Sequence, residues 1–352
     1  MVVVARAPAR ISFGGGGTDL AAYYRAYGGM VVSAAIARYA TVRAAETADR
    51  RIRIVSEDYG LALEYDRGIR PALEQPLALP KAALDWFYER GLRERGVELT
   101  LRSELPPGTG LGSSSAMAVA LVRALAAYLG IAIDASGAAE LACAIEIERL
   151  GMPIGKQDQY ASACGGLNTI VFATRGVQVD PLALPADTLA ELDRRLLLFS
   201  TGRQRDSAGI LGQQQRDSAG NPAVIEALHR IKALAVEIRA ALLESDLDGF
   251  GRLLDAGWRA KRDLSRKISS GAIDRWYAEA CAAGALGGKI AGAGGGGFLL
   301  LYCPPERQHD LRAAMLRCGL AELTFGFDLA GARVLAPERP IEPALAREVG
   351  AL

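Results

Sequence analysis

Short apolar or alternating runs at residues 2–5, 31–39, 51–55 and 99–101 predict β-strands in the first part of the chain. Pro71, Pro76 and Pro80 then punctuate a connection that leads into a helix expected near residues 82–95. From Ser113 the period changes. Met117, Leu121, Val122, Leu125 and Leu129 recur at helical spacing, and Gly130 supplies a stop. A second helix is expected from about Asp134 to Leu150, closed by Gly151, and strand-like runs return at 169–172 and 196–200. In the second half, helical periodicity covers about 223–243, 250–265 and 273–283. A Gly-rich run at 292–297 then opens directly into the apolar strand 298–302, followed by a helix at 308–318 and a strand near 331–335. This order predicts an α+β fold. Pro181, Pro185 and a charged stretch place the division near residue 190, giving domains at 1–190 and 191–352.

The length of 352 residues suits two domains, and the balance of 50% hydrophobic with 23% charged residues is that of an ordinary soluble enzyme. Lysines and arginines exceed acids by one, so neither a nucleic-acid nor a membrane partner is expected. The apolar run at the start is far too short for a signal segment or a spanning helix, which points to the cytoplasm. Cys143, Cys164, Cys281, Cys303 and Cys318 are scattered without a C-x-x-C pair, a pattern of reduced thiols rather than of a disulfide framework or zinc site. The two histidines, His229 and His309, lie outside every Gly-rich motif. Chemistry must therefore run on carboxylates, hydroxyls, Lys/Arg and backbone amides. The assembly state, a homodimer included, is left open.

Three Gly-rich places can carry chemistry. The strongest is Pro106-Pro107-Gly108-Thr109-Gly110-Leu111-Gly112-Ser113-Ser114-Ser115-Ala116, between a strand and a helix start. Glycines let the backbone approach a ligand, and the helix that follows offers free N–H groups to a di- or triphosphate. A serine there can cap the helix or ligate Mg²⁺. A plain Gly-rich turn with a serine cap is the simpler alternative, and no Walker A pattern occurs. The second place, residues 289–297, contains a formal G-x-G-x-x-G at Gly292, Gly294 and Gly297. It opens a strand rather than a helix, so it is not a dinucleotide fingerprint. A flexible lid near a ligand or a simple turn remain for it. The third, Arg10-Ile11-Ser12-Phe13-Gly14-Gly15-Gly16-Gly17-Thr18-Asp19, puts a hydroxyl and a carboxylate on a tight loop, suited to sugar hydroxyls or merely to capping the next helix. A short repeat, Gln204 to Gly209 recurring as Gln215 to Gly220, reads as a local duplication.

Two acidic regions follow. Glu146 and Glu148 lie on the second helix, and spacing alone selects neither. Asp158 in Gly155-Lys156-Gln157-Asp158-Gln159-Tyr160 reads as a loop residue, whose pairing with Lys156 could be a surface ion pair of little consequence.

Together these pieces resemble the GHMP kinase superfamily of galactokinase, homoserine, mevalonate and phosphomevalonate kinases. Residues 7–19 are similar to its first motif in the sugar-kinase form, 106–116 to the second and 288–297 to the third, in the expected order. Within it the chain resembles the heptose 7-phosphate kinases most, on residues 11–20, 155–160, 200–205 and 258–297; kinases of fucose and other sugars share parts of these stretches. The resemblance implies a ribosomal-S5-like N-terminal domain, a ferredoxin-like C-terminal domain and an active site between them, with ATP and Mg²⁺ as cofactors. It implies Asp158 as the acceptor-activating carboxylate and Arg10 as the cation beside the transferred phosphoryl group. It assigns the nucleotide phosphates to Pro107, Gly108, Thr109, Gly110, Leu111, Gly112, Ser113, Ser114 and Ser115. It gives Mg²⁺ to Ser114 and Glu146, with Ser113 and Ser115 as neighbours of the same chemistry. The implied substrate residues are Gly15, Gly16, Gly17, Thr18, Asp19, Lys156, Gln159, Arg203, Arg205, Gly294 and Gly295. Arg203, Arg205, Lys156 and Lys261 are the candidate cations for a substrate phosphate. Where galactokinase has Gly-Glu-His-Thr-Asp, this chain has Gly15-Gly16-Gly17-Thr18-Asp19, which argues against plain galactose. A kinase of another free sugar and a silent sugar- and ATP-binding sensor are the rival readings. The sensor stands well behind, because Arg10, Ser114, Glu146 and Asp158 are all present.

Overall fold

Strand β1 (Val2–Gly14) pairs antiparallel with β2 (Gly29–Ala45) along almost its whole length, from Val2 opposite Ala45 to Gly14 opposite Val32. The pairing shifts register between Pro8 and Ala9 and between Ser12 and Gly14. Bulges of this kind re-aim side chains at the end of a strand, and here they precede the glycine loop. The computed structural model describes residues 1–66, 69–203, 209, 212–213, 216–217, 220–265 and 267–335. The eight-stranded first sheet continues through β3 (Ile52–Ser56), β4 (Leu61–Tyr65) and β5 (Val97–Ser103), with β6 (Leu167–Ala173) on β2 and β7 (Gly176–Pro181) on β6. Its face is covered by the helix Ser113–Leu129, whose Val119, Leu121 and Leu125 pack with Phe87, Val42 and Leu99.

The second sheet is built from β8 (Leu196–Ser200), β9 (Gly287–Ile290), β10 (Phe298–Tyr302) and β11 (Ala321–Glu322), in the order β11-β8-β10-β9 and antiparallel throughout. Both of its faces are buried. Leu198 and Leu300 pack with Phe250, Leu254 and residues Ile11 and Phe13 of β1. The alternate positions Leu197, Phe199, Leu299 and Leu301 pack with Trp258, Ile273 and Met315. A period-two strand with two apolar faces is what a sandwiched sheet requires. The shared Ile11–Phe13–Phe250 cluster joins the two sheets, so residues at the end of β1 are held against the second half of the chain. β12 (Arg333–Leu335) returns to the first sheet as an edge strand on β1. Among the described residues no helix is long and apolar enough to cross a membrane, and all five cysteines are free.

Several elements differ from the sequence expectation. β1 runs through Arg10 to Gly14 rather than ending at residue 5, because Pro8 and Arg10 sit in a strand buried on both sides. β4 and β7 are short strands, half exposed at the sheet margin, whose Leu63, Tyr65, Val177 and Val179 pack on the core. The expected helix 134–150 changes character midway: Ala135–Cys143 is α-helical and Ala144–Arg149 a π-helical turn. Asp158, expected in a loop, stands in the first turn of the helix Gln157–Cys164. The charged stretch near the expected division is itself a helix, Ala186–Arg195. Most of the repeat at 204–209 and 215–220 lies outside the described residues.

Candidate active site

The loop before the helix Ser113–Leu129 turns through glycines at positive φ: 74° at Gly108, 86° at Gly110 and 76° at Gly112. Gly112 is the N-cap of that helix. A Cβ there would lie 3.3 Å from both Arg10 Cγ and Asp158 Oδ2, so the position demands glycine for its backbone and its surroundings together. Thr109 and Ser113 donate their hydroxyls to Pro106 O at 3.0 and 3.3 Å, stapling the loop from inside. Gly297 of the third motif presses against this loop: a Cβ would meet Thr109 O at 2.2 Å. The two glycine motifs, distant in sequence, are thus one surface. Beside it opens a cleft of about 500 Å³, lined by Leu101, Leu105, Pro107, Ser113, Ser114 and Met117 among others. Such a cleft, apolar along one side and ending at a helix N-terminus, suits a nucleotide.

Ser114 is exposed at the helix start and donates to Glu146 Oε1 at 2.9 Å. The π-helical turn points Glu146 inward, fully buried, while Glu148 stays exposed. The structure therefore selects between two glutamates that spacing could not separate. π-Turns of this kind often occur at functional sites. Gln159 donates to the other oxygen, Oε2, at 2.6 Å. Burial pushes the Glu146 pKa up to about 7, against hydrogen bonds from Gln159, Ser115 and Ser114, and the Asp158 charge adds to the rise. A buried carboxylate beside a hydroxyl at the end of a phosphate-type loop is a pair of hard oxygen donors. Among the described residues no group of three or more His, Cys, Asp or Glu could hold a metal by itself. Two protein donors fit Mg²⁺ nonetheless, since that ion takes its other ligands from water and phosphate oxygens.

Asp158 meets Arg10 at the junction of loop and β1. Arg10 Nε donates to Asp158 Oδ1 at 2.7 Å, Nη2 approaches the same oxygen at 2.5 Å, and Nη1 donates to Gly110 O at 2.6 Å. Arg10 is 4% exposed and Asp158 22%, so the guanidinium is fixed while the carboxylate keeps an open side. That side faces a small cavity of about 70 Å³ between the two sheets, lined by Asp158, Asp19, Gly16, Lys261, Lys289 and Gly292 among others. Asp19 is buried and accepts from the N–H groups of Gly17 at 2.9 Å and Gln157 at 3.2 Å. Burial, then the Asp158 charge, raise its pKa, and those N–H bonds oppose the rise. Lys289 is buried on β9 and donates to the carbonyls of Ser12 at 2.8 Å and Phe13 at 3.3 Å. Burial first, and the Arg10 charge second, push its pKa down to about 7. Lys261 donates to Gly292 O.

Other residues singled out by sequence fall elsewhere. Lys156 pairs with Glu140 at 2.7 Å rather than with Asp158. Gln159 is fully buried under Glu146 and turned from the small cavity. Thr18 is fully buried, and its hydroxyl donates to Gly15 O at 2.8 Å and Met30 O at 3.0 Å, so it staples the loop. Gly15 packs on the Met30 carbonyl. Arg203 holds its guanidinium 5.4 Å from the Trp276 ring centroid, and Arg205 lies outside the described residues. Gly294 packs on Ile268 and Gly295 donates to Ile268 O, leaving Gly292 and Ala293 to line the cavity. Sequence reasoning gave Lys289 no role. Its signal was a lone lysine between glycines and an apolar run in 287–291.

Comparison with known proteins gives the arrangement a context. Residues 78–166 match the GHMP kinases N terminal domain, and residues 238–320 match the GHMP kinases C terminal domain. The chain is 31% identical over 314 residues to a D-glycero-alpha-D-manno-heptose 7-phosphate kinase of Campylobacter jejuni, covering 88% of this chain and 91% of that one. It is 26% identical over 272 residues to the galactokinase of Pyrococcus furiosus, covering 70% of this chain and 75% of the other. The crystal structure of a D-glycero-D-manno-heptose 1-phosphate kinase from Bacteroides thetaiotaomicron superimposes with a TM-score of 0.81 at 28% identity, covering 96% of this chain and all of that one.

Proposed function

This chain belongs to the GHMP kinases and is an ATP-dependent small-molecule kinase of the sugar-kinase type, and we propose that it transfers the γ-phosphoryl group of ATP to the anomeric hydroxyl of a heptose 7-phosphate. The single observation that carries this reading is the position of Asp158. It touches the phosphate loop at Gly112 and lines the small cavity, so an acceptor hydroxyl there is adjacent both to a carboxylate and to the end of a nucleotide.

In this reading ATP lies with its base in the 500 Å³ cleft and its phosphates over residues 107–115. The acceptor oxygen attacks the γ-phosphorus, the bond to the β–γ bridging oxygen breaks, and ADP leaves. The acceptor proton passes to Asp158. Arg10, anchored by Asp158 and Gly110 O, offsets charge on the transferred group with little rearrangement. Ser114 and Glu146 would hold Mg²⁺, which would supply charge to neutralise the phosphates. Asp19 and the Gly16–Gly17 backbone face the acceptor. Lys261, at the same cavity and donating to Gly292 O, supplies positive charge for a phosphorylated acceptor, and Lys289 beside it, with its pKa pushed down to about 7, takes up a proton as that phosphate binds. Lys261 is one of the cations the sequence singled out and Lys289 is an addition, while Lys156 and Arg203 are engaged by Glu140 and Trp276. The reaction belongs in the cytoplasm, where ATP and sugar phosphates coexist.

Asp158→Asn tests the assignment. Turnover is expected to fall by about 10²–10⁴-fold, while calorimetry finds ATP binding within a few-fold of the parent. Full turnover in that variant removes Asp158 from the mechanism.

A further inference from the structure

Two side chains at the small cavity carry buried polar atoms that find no hydrogen-bond partner among the described residues: Ser12 Oγ and Gln157 Oε1. Both residues line the cavity, and Ser12 is only 5% exposed. Buried polar atoms are nearly always paired, because an unpaired one loses its solvation and gains nothing in return. The neighbouring carboxylate of Asp19 is already served by two backbone N–H groups. Ser12 Oγ and Gln157 Oε1 are not served.

The two side chains also converge. A Cβ added to Gly16 would lie 3.6 Å from Ser12 Oγ and 3.8 Å from Gln157 Nε2, with nothing nearer. Gly15 and Gly17 have φ of 83° and 100°, conformations that call for glycine, whereas Gly16 is not among the positive-φ residues. The backbone at Gly16 would accept a side chain. What its bare face provides is room, beside Ser12 Oγ and the amide group that carries Gln157 Oε1.

We propose that Ser12, the bare face of Gly16 and the Gln157 amide form a subsite that reads a ring hydroxyl of the acceptor. The inference rests on the sugar-kinase reading of this cavity and adds the residues that choose among polyols. The amide oxygen accepts from the ligand hydroxyl, and the serine hydroxyl donates to that hydroxyl's oxygen. A ligand with a single alcohol group spends that group at Asp158 and leaves both atoms unpaired. Vicinal hydroxyls satisfy the site.

The test uses Gly16→Ala and Ser12→Ala in the full chain, with D-glycero-D-manno-heptose 7-phosphate, D-mannose and their monodeoxy analogues as acceptors. Gly16→Ala fills the space with ordinary contacts, so its melting temperature and ATP affinity should match the parent while KM for the acceptor rises about tenfold or more. One deoxy analogue should lose at least about tenfold in kcat/KM with the parent and nothing further with Ser12→Ala, because the same interaction is removed twice. Parent-like KM in Gly16→Ala, together with a Ser12→Ala loss equal on every analogue, overturns the subsite and leaves the kinase reading standing. Absence of turnover by the parent on every sugar overturns both.

Discussion

Lys289 offers a test of how the two halves of the chain meet. Its ammonium group lies in a buried position between β9 and the end of β1, donating to the carbonyls of Ser12 and Phe13, and Arg10 repels it. A fall in pKa from 10.5 to about 7 means that, across that window, the unfolded chain binds one more proton than the folded one. Stability therefore rises with pH through the window, by about 1.4 kcal/mol for each pH unit. Below the folded value the lysine is charged in both states, and its burial penalty, up to about 5 kcal/mol, is fully present. Lys289→Met keeps the volume and removes the titration. The difference in unfolding free energy between parent and variant, from urea titrations followed by circular dichroism, should thus be flat below about pH 6.5. It should move in favour of the parent by about 3 kcal/mol between pH 7.5 and 9.5. Subtracting the variant cancels every group common to both proteins. A difference that stays constant from pH 6 to 9.5 refutes the reasoning, since it would mean that Lys289 keeps its proton when folded.

Other expectations follow from the same geometry. Gly112→Ala forces a Cβ into a left-handed backbone and against Arg10 and Asp158; it should cost about 1–2 kcal/mol in thermal or urea unfolding and lower kcat by about 10²-fold through displacement of the Arg10–Asp158 pair. Ser114→Ala removes the hydroxyl that faces Glu146; a Mg²⁺ titration of the initial rate should show the half-saturating concentration rising about tenfold, and an unchanged curve would take Ser114 out of the metal site. Gln159→Leu leaves Glu146 Oε2 buried without its donor; urea unfolding should report a loss of about 1–3 kcal/mol.

The regular core was legible because it repeats. The apolar positions after Ser113 mark a helix against the first sheet, and the run 298–302 marks a strand with two buried faces. The ends of those elements were less so. β1 continues to Gly14 because its later residues are sandwiched between two halves of the chain, and a local pattern carries no information about a partner that arrives nearly 290 residues later. Asp158 looked like a loop residue because Gly155 and Lys156 break periodicity just before a helix too short to establish its own. At the site, the glycine motifs announced backbone that must come close to something, and the structure places Gly112 and Gly297 against Arg10, Asp158 and Thr109. What sequence could not convey was direction. Lys156, Thr18 and Gln159 have the right chemistry, but they point at Glu140, at loop carbonyls and at Glu146. Lys289 had no role from sequence and lines the cavity.

The central claim concerns which hydroxyl of which acceptor receives the phosphoryl group. The names of the two heptose kinases compared above pose the choice, since phosphorylating either a heptose 7-phosphate at its anomeric oxygen or a heptose 1-phosphate at its far end yields the same bisphosphate. The decisive measurement is ADP release with ATP and Mg²⁺ on a matched panel of heptose 7-phosphate, heptose 1-phosphate, mannose 6-phosphate, mannose, fucose, galactose and mevalonate, with phosphorus NMR of each product. Selective turnover of the 7-phosphate is expected, with a new phosphorus signal coupled to the anomeric proton. Turnover confined to the 1-phosphate, to a free sugar or to mevalonate would contradict it.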